Sequence, residues 1–227
     1  AVTSLPGGVV CAQRGPSGHF QGARRRRVSE ITVQIVHGHP SVDREAEIYA
    51  QMLSEAGVDK GSIVPPQGRA PMRTTFHVAI DVAAGKVVGT LYARLGAMHD
   101  LTLAPFVEGE HRLPQPICEA AAIAVLPEAS GRGVSELLYR SVYCFARREG
   151  AASLAVMVDP LTLELFREDY AVMFRALGPV TSHLGLDLVP AGEELHTLED
   201  GLRRLRPDFY EFLVRPFSDV ERVRYSL

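Results

Sequence analysis

The sequence predicts an α/β fold, a sheet flanked by helices in one domain, and three observations carry that prediction. Short runs rich in β-branched residues alternate with longer stretches in which apolar residues recur every three or four positions. Gly57, Gly150 and Gly178 stand where those helical stretches stop. Ile117–Leu126 is almost wholly apolar, as a strand buried on both faces near the middle of a sheet would be.

The elements follow in order. Residues 1–30 hold Arg14 and the run Arg24 to Arg27 against one acid, Glu30, in a Gly/Ser/Pro-rich setting, which reads as a basic, loosely ordered segment ahead of a single domain over 31–227. Such a segment suits solvent or an acidic partner; nucleic acid is not expected, because only Phe20 interleaves the basic residues. Ile31–Val36 is a strand, and Ser41 caps a helix running to about Ala56. A proline-rich loop fills Asp59 to Arg73. Thr75–Val82 and Lys86–Leu95, joined by Ala83-Ala84-Gly85, make an antiparallel hairpin. An irregular stretch, Gly96 to Pro116, leads into the Ile117 strand, and a helix runs from about Arg132 to Glu149. Ala152–Val158 is a strand, Leu161–Leu177 an amphipathic helix, Val180–Val189 a strand, Glu193–Arg206 a helix and Phe209–Val214 an extended segment.

Composition sets the class. The 227 residues carry 24 Lys+Arg against 27 Asp+Glu, a net charge of −3, with 46% hydrophobic and 22% charged residues, which excludes a disordered or collagen-like chain. The basic segment makes the remainder more acidic than that net value. Lys60 and Lys86 are the only lysines; arginine suits phosphate and carboxylate, but coding composition is the better account of the bias. Cys11, Cys118 and Cys144 are odd in number and widely spaced, so neither a disulfide framework nor a metal site is expected, and a cytoplasmic setting fits. No window approaches the roughly 18 apolar residues of a membrane span, and no secretory signal is read at the start.

The strongest chemical signal lies between the Ile117 strand and the following helix. Gly131 and Gly133 in Ser130-Gly131-Arg132-Gly133-Val134-Ser135 let backbone N–H groups approach a ligand, and the helix N-terminus adds partial positive charge, so the segment reads either as a phosphate cradle or as a tight turn. It matches neither G-x-G-x-x-G nor a G-K-[ST] loop.

Val125-Leu126-Pro127-Glu128, followed by Gly131-Arg132-Gly133-Val134 and Leu137-Leu138, resembles the acyl-CoA-binding motif of the GCN5-related N-acyltransferase (GNAT) superfamily. Two positions depart from that motif: Ser130 replaces its usual Gln or Arg, and Ser135 its last small residue. Gly85 to Leu91, Glu119 through Val125, and Leu177-Gly178-Pro179 occur in the order found in the acyl-homoserine-lactone synthases and the similar N-acyl amino acid synthases. The resemblance spans roughly Thr75 to Leu188. It implies a GNAT-like central mixed, mostly antiparallel sheet and transfer of an acyl group from an acyl thioester to an amine. The donor is acyl-CoA or acyl-phosphopantetheine on acyl carrier protein, held by Val125, Gly131, Arg132, Gly133, Val134 and Ser135, with no tightly bound cofactor. The acceptor is a small amino acid-like amine. The relatives' Glu-x-x-Arg appears here as Glu119 with Ala122, so an arginine contact to the acceptor is not carried over.

Glu119 also stands out without any relative. Alternation places it on the face of Ile117 and opposite Cys118, in a strand where burying a carboxylate is expensive unless it is paired or protonated. It is the candidate general base for the amine; the alternative is a pair with Arg94 or Arg73. For the general acid, the tyrosine position implied by the resemblance is Phe174, and Tyr170, one turn earlier on the expected helix, is the substitute, with a core role or no protein acid as alternatives. Cys118 reads as a buried hydrophobe, and His37, His39 and His77 as strand or surface histidines. Met98, Leu101, Leu103, Phe106 and Val107 form either a buried loop or, as the reading leans, a wall of an acyl pocket beside Ala120-Ala121-Ala122. An acetyl-CoA acetyltransferase, a silent acyl-ligand-binding module and an acyl-thioester enzyme with a non-amine acceptor stay open.

Overall fold

The computed structural model describes residues 30–37, 73–109, 113–183 and 186–227. The basic segment with Cys11, the helix expected over Ser41–Ala56 with the loop after it, and His39 lie outside the described residues.

Eight strands form the sheet in the described residues, in the order β1 (Ile31–His37), β2 (Arg73–Asp81), β3 (Lys86–Gly96), β4 (Ile117–Val125), β5 (Ser153–Val158), β8 (Leu186–Glu194) and β6 (Arg175–Ala176), with β7 (Thr181–His183) paired to β8. All pairings are antiparallel except β4 with β5. A parallel pair needs a crossover, and α1 (Val134–Arg148) supplies it.

The β2–β3 hairpin falls where expected. Asp81 Oδ1 accepts the amides of Ala83 and Ala84 at 3.1 and 3.2 Å, and Gly85 takes φ +60° to close the turn. In the β3–β4 ladder Leu91 pairs with Ile123 and Tyr92 with Ala121, so Ala122 is the extra residue of a bulge.

Two cores lie on opposite faces. On one, Val134, Leu138, Val142 and Phe145 of α1 pack on Ala79, Leu91, Ala93 and Cys118, together with Leu195 and Leu202 of α3 (Leu195–Leu205) and Phe209 and Leu213 of α4 (Pro207–Val214). There Tyr143 donates its hydroxyl to the buried Glu199 at 2.6 Å, and α5 (Asp219–Tyr225) is tied back when Arg147 donates to the Tyr225 carbonyl. On the other face Leu101, Leu103 and Leu113 of the irregular stretch close over Ile117, Ala155 and Leu177.

Three expectations change. The Leu161–Leu177 helix stops early: α2 spans Pro160–Tyr170, Ala171 turns to the left-handed region at φ 55°, and Arg175–Ala176 then joins the sheet as β6. The Val180–Val189 strand is a β7–β8 hairpin. Phe209–Val214 is helical, because Pro207 at the first helical position fixes φ and Asp208 faces the helix N-terminus. Among the described residues no helix is long and apolar enough to cross a membrane.

Candidate acyl-transfer site

The site begins where two strands part. β4 and β5 are paired from Ile117 with Ser153 to Ala120 with Val156, and there the pairing ends. β4 continues along β3 as far as Val125 opposite Gly89, while β5 continues along β8 as far as Val158 opposite Val189. A wedge therefore opens between the strands, with Ala121 to Val125 along one wall. Glu119 lies just below its apex and the turn to α1 at its mouth, about 20 Å apart along the strand.

At the mouth, Pro127–Ala129 makes one short helical turn, and Gly131 and Gly133 adopt φ +72° and +75° before α1 begins. Space does not require glycine here, since a Cβ at Gly131 would meet nothing within 4 Å; the left-handed backbone does. Gly133 gives α1 no side-chain cap. The first helical amides, of Val134 and Ser135, point outward from a helix N-terminus, which is the arrangement that binds phosphate.

Two ion pairs hold this turn against the β2–β3 hairpin. Arg132 Nη2 lies 2.7 Å from Asp81 Oδ2, and Lys86 Nζ lies 2.7 Å from Glu128 Oε1. The bond from Lys86 holds the Glu128 carboxyl below its usual range. Arg132, expected as a ligand contact, thus has a structural partner, and what the loop offers a ligand is chiefly its amides.

Glu119 is fully buried, and both its oxygens are engaged by the irregular stretch. Oε2 accepts the Thr102 amide at 2.8 Å and the Thr102 hydroxyl at 2.7 Å, and Oε1 accepts the Leu103 amide at 2.9 Å. As the alternative to a base role, the sequence offers a pair with Arg94 or Arg73; Arg94 stands opposite Glu119 in the ladder, but its Nε donates to the Tyr92 hydroxyl at 2.7 Å, and the Arg73 side chain is not among those described. Thr102, which the sequence reading did not single out, is exposed. No periodicity marks it, and its only sequence signal is a hydroxyl between two leucines.

Leu101 and Leu103 correct the acyl-pocket reading: both are buried in the second core, so they hold the loop down and do not line an open slot. Phe106 packs against His183 with ring centroids 5.0 Å apart. A Cβ on Gly178 would come within 2.1 Å of the Phe106 carbonyl oxygen, so glycine there lets the loop seat against the β6–β7 connection.

Tyr170 lies against the first turn of α1. Its hydroxyl donates to Glu136 Oε1 at 3.0 Å, in the first turn of α1, and its ring packs on Phe209 at 4.9 Å. Burial, and then the neighbouring carboxylate, raise the phenol well above its ordinary value. The helical relation assumed between Tyr170 and Phe174 does not hold, because α2 ends at Tyr170; Phe174 packs edge-on against Phe166. Cys118 faces α1, as alternation requires, and burial pushes its thiol far up. His77 is buried between Thr75 at 3.1 Å and Ser141 at 2.7 Å. Among the described residues no three His, Cys, Asp or Glu side chains are grouped to hold a metal ion.

No family model and no curated protein matches the sequence. Solved structures do match the fold. FeeM, an N-acyl amino acid synthase from uncultured soil microbes, aligns at 13% identity and TM-score 0.53, over 76% of this chain and 94% of its own. BjaI, a CoA-dependent acyl-homoserine lactone synthase solved with SAM and isopentyl-CoA, aligns at 14% identity and TM-score 0.57, over 77% and 89%. The AHL synthase LasI aligns at 16% identity and TM-score 0.54, over 74% and 91%. The chain has the fold shared by these acyl-homoserine lactone and N-acyl amino acid synthases.

Proposed function

We propose that this protein is an N-acyltransferase that moves an acyl group from a phosphopantetheine thioester, on coenzyme A or acyl carrier protein, to the amine of a small amino acid-like acceptor. The observation that carries the reading is the wedge between β4 and β5, with an uncapped helix N-terminus at its mouth and one buried carboxylate below its apex. The neighbours' description as acyl-homoserine lactone and N-acyl amino acid synthases supports it.

In this reading the amides of Gly131, Gly133, Val134 and Ser135 hold the donor's phosphate. The pantetheine arm enters past Val125 and runs inward along the strand to Ala121, so the thioester carbonyl lies at the inner end of the wedge near Glu119, where strand amides left unpaired by β5 polarise it. Glu119 takes the proton that the acceptor ammonium must lose. The free amine attacks the carbonyl directly, the C–N bond forms as the C–S bond breaks, and the sulfur leaves with the electron pair. Tyr170 is a weak candidate for protonating the thiolate. Its phenol, raised by burial and by Glu136, holds its proton more tightly than a thiol of ordinary pKa about 8.5.

A second reading, acyl-ligand binding without turnover, is favoured by one observation: both oxygens of Glu119 are already occupied by Thr102 and Leu103. One experiment separates the two. The purified protein is given C4–C14 acyl-CoA and acyl-carrier-protein donors with an equimolar mixture of amino acids. Native mass spectrometry follows donor retention, and product mass spectrometry follows amide formation. Retention with an N-acyl product supports the transferase. Retention alone supports the binding module, and no retention of any donor overturns both.

A further inference from the structure

Glu119 is fully buried, yet one of the two residues that bond it, Thr102, is exposed. Thr102 donates its hydroxyl proton to Glu119 Oε2 at 2.7 Å and its amide to the same oxygen at 2.8 Å. The loop carrying it is held on both sides. Leu101 and Leu103 sit in the second core, and the Glu108 amide bonds the Leu177 carbonyl at 2.9 Å. Exposing the carboxylate by lifting this loop would open that core. A hydroxyl whose proton is committed inward presents lone pairs outward, so towards solvent Thr102 is an acceptor suited to a cationic N–H donor.

We infer that Thr102 is the proton relay between the acceptor ammonium and Glu119; the inference rests on the transferase reading above. The ammonium gives one proton to Thr102 Oγ1 as the hydroxyl's own proton passes to Glu119 Oε2. This leaves a neutral amine, an intact threonine and a protonated Glu119. After the amine attacks, its second proton neutralises the departing thiolate, and Glu119 returns its proton to solvent through Thr102. The net change is one thioester and one ammonium converted to one amide, one thiol and one released proton.

Thr102→Val keeps the shape and the amide bond to Glu119 but removes the relay, whereas Thr102→Ser retains a hydroxyl. Thiol release is followed with the C4–C14 acyl-CoA series and the amino acid mixture between pH 6.5 and 9.5, with far-UV circular dichroism and thermal melts confirming that both variants fold. The relay predicts a fall of about 100-fold in kcat for Thr102→Val near neutral pH, at the lower end of the range of general acid–base effects. The donor KM should stay unchanged and the deficit should narrow as pH rises, because the acceptor then arrives already deprotonated. Thr102→Ser should recover most of the rate. A Thr102→Val enzyme as fast as the parent, or deficits in the two variants that are equal and independent of pH, overturns the relay alone. A parent protein that releases no thiol overturns the transferase reading and the relay with it.

Discussion

Asp81 and Arg132 are joined across 51 positions of sequence: one carboxylate oxygen closes the β2–β3 turn, and the other meets the guanidinium at 2.7 Å. The arginine of the candidate cradle is thereby fixed by the hairpin. Replacing it with alanine removes a partly exposed ion pair, for which up to about 1 kcal/mol is expected. The donor KM should rise less than about fivefold in steady-state kinetics, since the amides remain. A rise above about 30-fold would assign the guanidinium a direct phosphate contact.

Gly133 supplies the left-handed residue before α1. An alanine there has room for its methyl group but not for the backbone angle, which costs about 1–2 kcal/mol for an L-residue. Gly133→Ala should lower the unfolding free energy by about that amount. It should also raise the donor KM about tenfold with little change in kcat, because the amides are re-aimed while the acceptor side is untouched.

Tyr170 is tied to Glu136. Tyr170→Phe should reduce stability by about 1 kcal/mol for the lost hydrogen bond and change kcat less than about threefold. A loss of 100-fold or more in single-turnover measurements would restore the phenol as the acid.

Glu119 holds the irregular stretch through three hydrogen bonds. Glutamine retains one carbonyl oxygen and turns an NH2 group towards an amide that needs an acceptor. Glu119→Gln should cost about 2–4 kcal/mol in chemical denaturation, as well as lowering kcat. Loss of activity in this variant is informative only beside that stability measurement, which is why Thr102, at the surface, makes the cleaner probe of proton transfer.

Glu221 joins α5 to α1. The Arg148 guanidinium, then the Ser218 amide, hold its carboxyl down at about 2, against an ordinary 4.5. The folded value is depressed, so the associated stability is present above pH 4.5 and lost as pH falls through about 2. The difference in unfolding free energy between the parent and Glu221→Gln should be present at pH 6 and vanish towards pH 2.

β1 to β5 and α1 were legible because local pattern and tertiary setting agree there: β-branched or apolar runs are set off by turn residues, and the helical period begins at Val134. The turn before α1 was legible for the same reason, as a left-handed backbone signalled by Gly131 and Gly133. The end of α2 was hidden because Ala171, Val172, Met173 and Phe174 continue an apolar pattern that a helix would also show, and the left-handed turn falls on alanine, which gives no warning. α4 was hidden by its aromatic residues, although Pro207 and Asp208 marked its start. Contacts that cross the chain were beyond reach. That Glu119 meets Thr102 and Leu103, and that Arg132 meets Asp81, depends on which loop folds over which strand.

The wedge between β4 and β5 also acts as a gauge. Paired strands stand about 4.8 Å apart, and beyond Ala120 and Val156 the two strands are no longer paired, while each stays bonded to its other neighbour. In the proposed function a thin, unbranched chain with amide groups would satisfy the strand edges bared there, and the sheet itself would select its ligand by width ahead of any side chain.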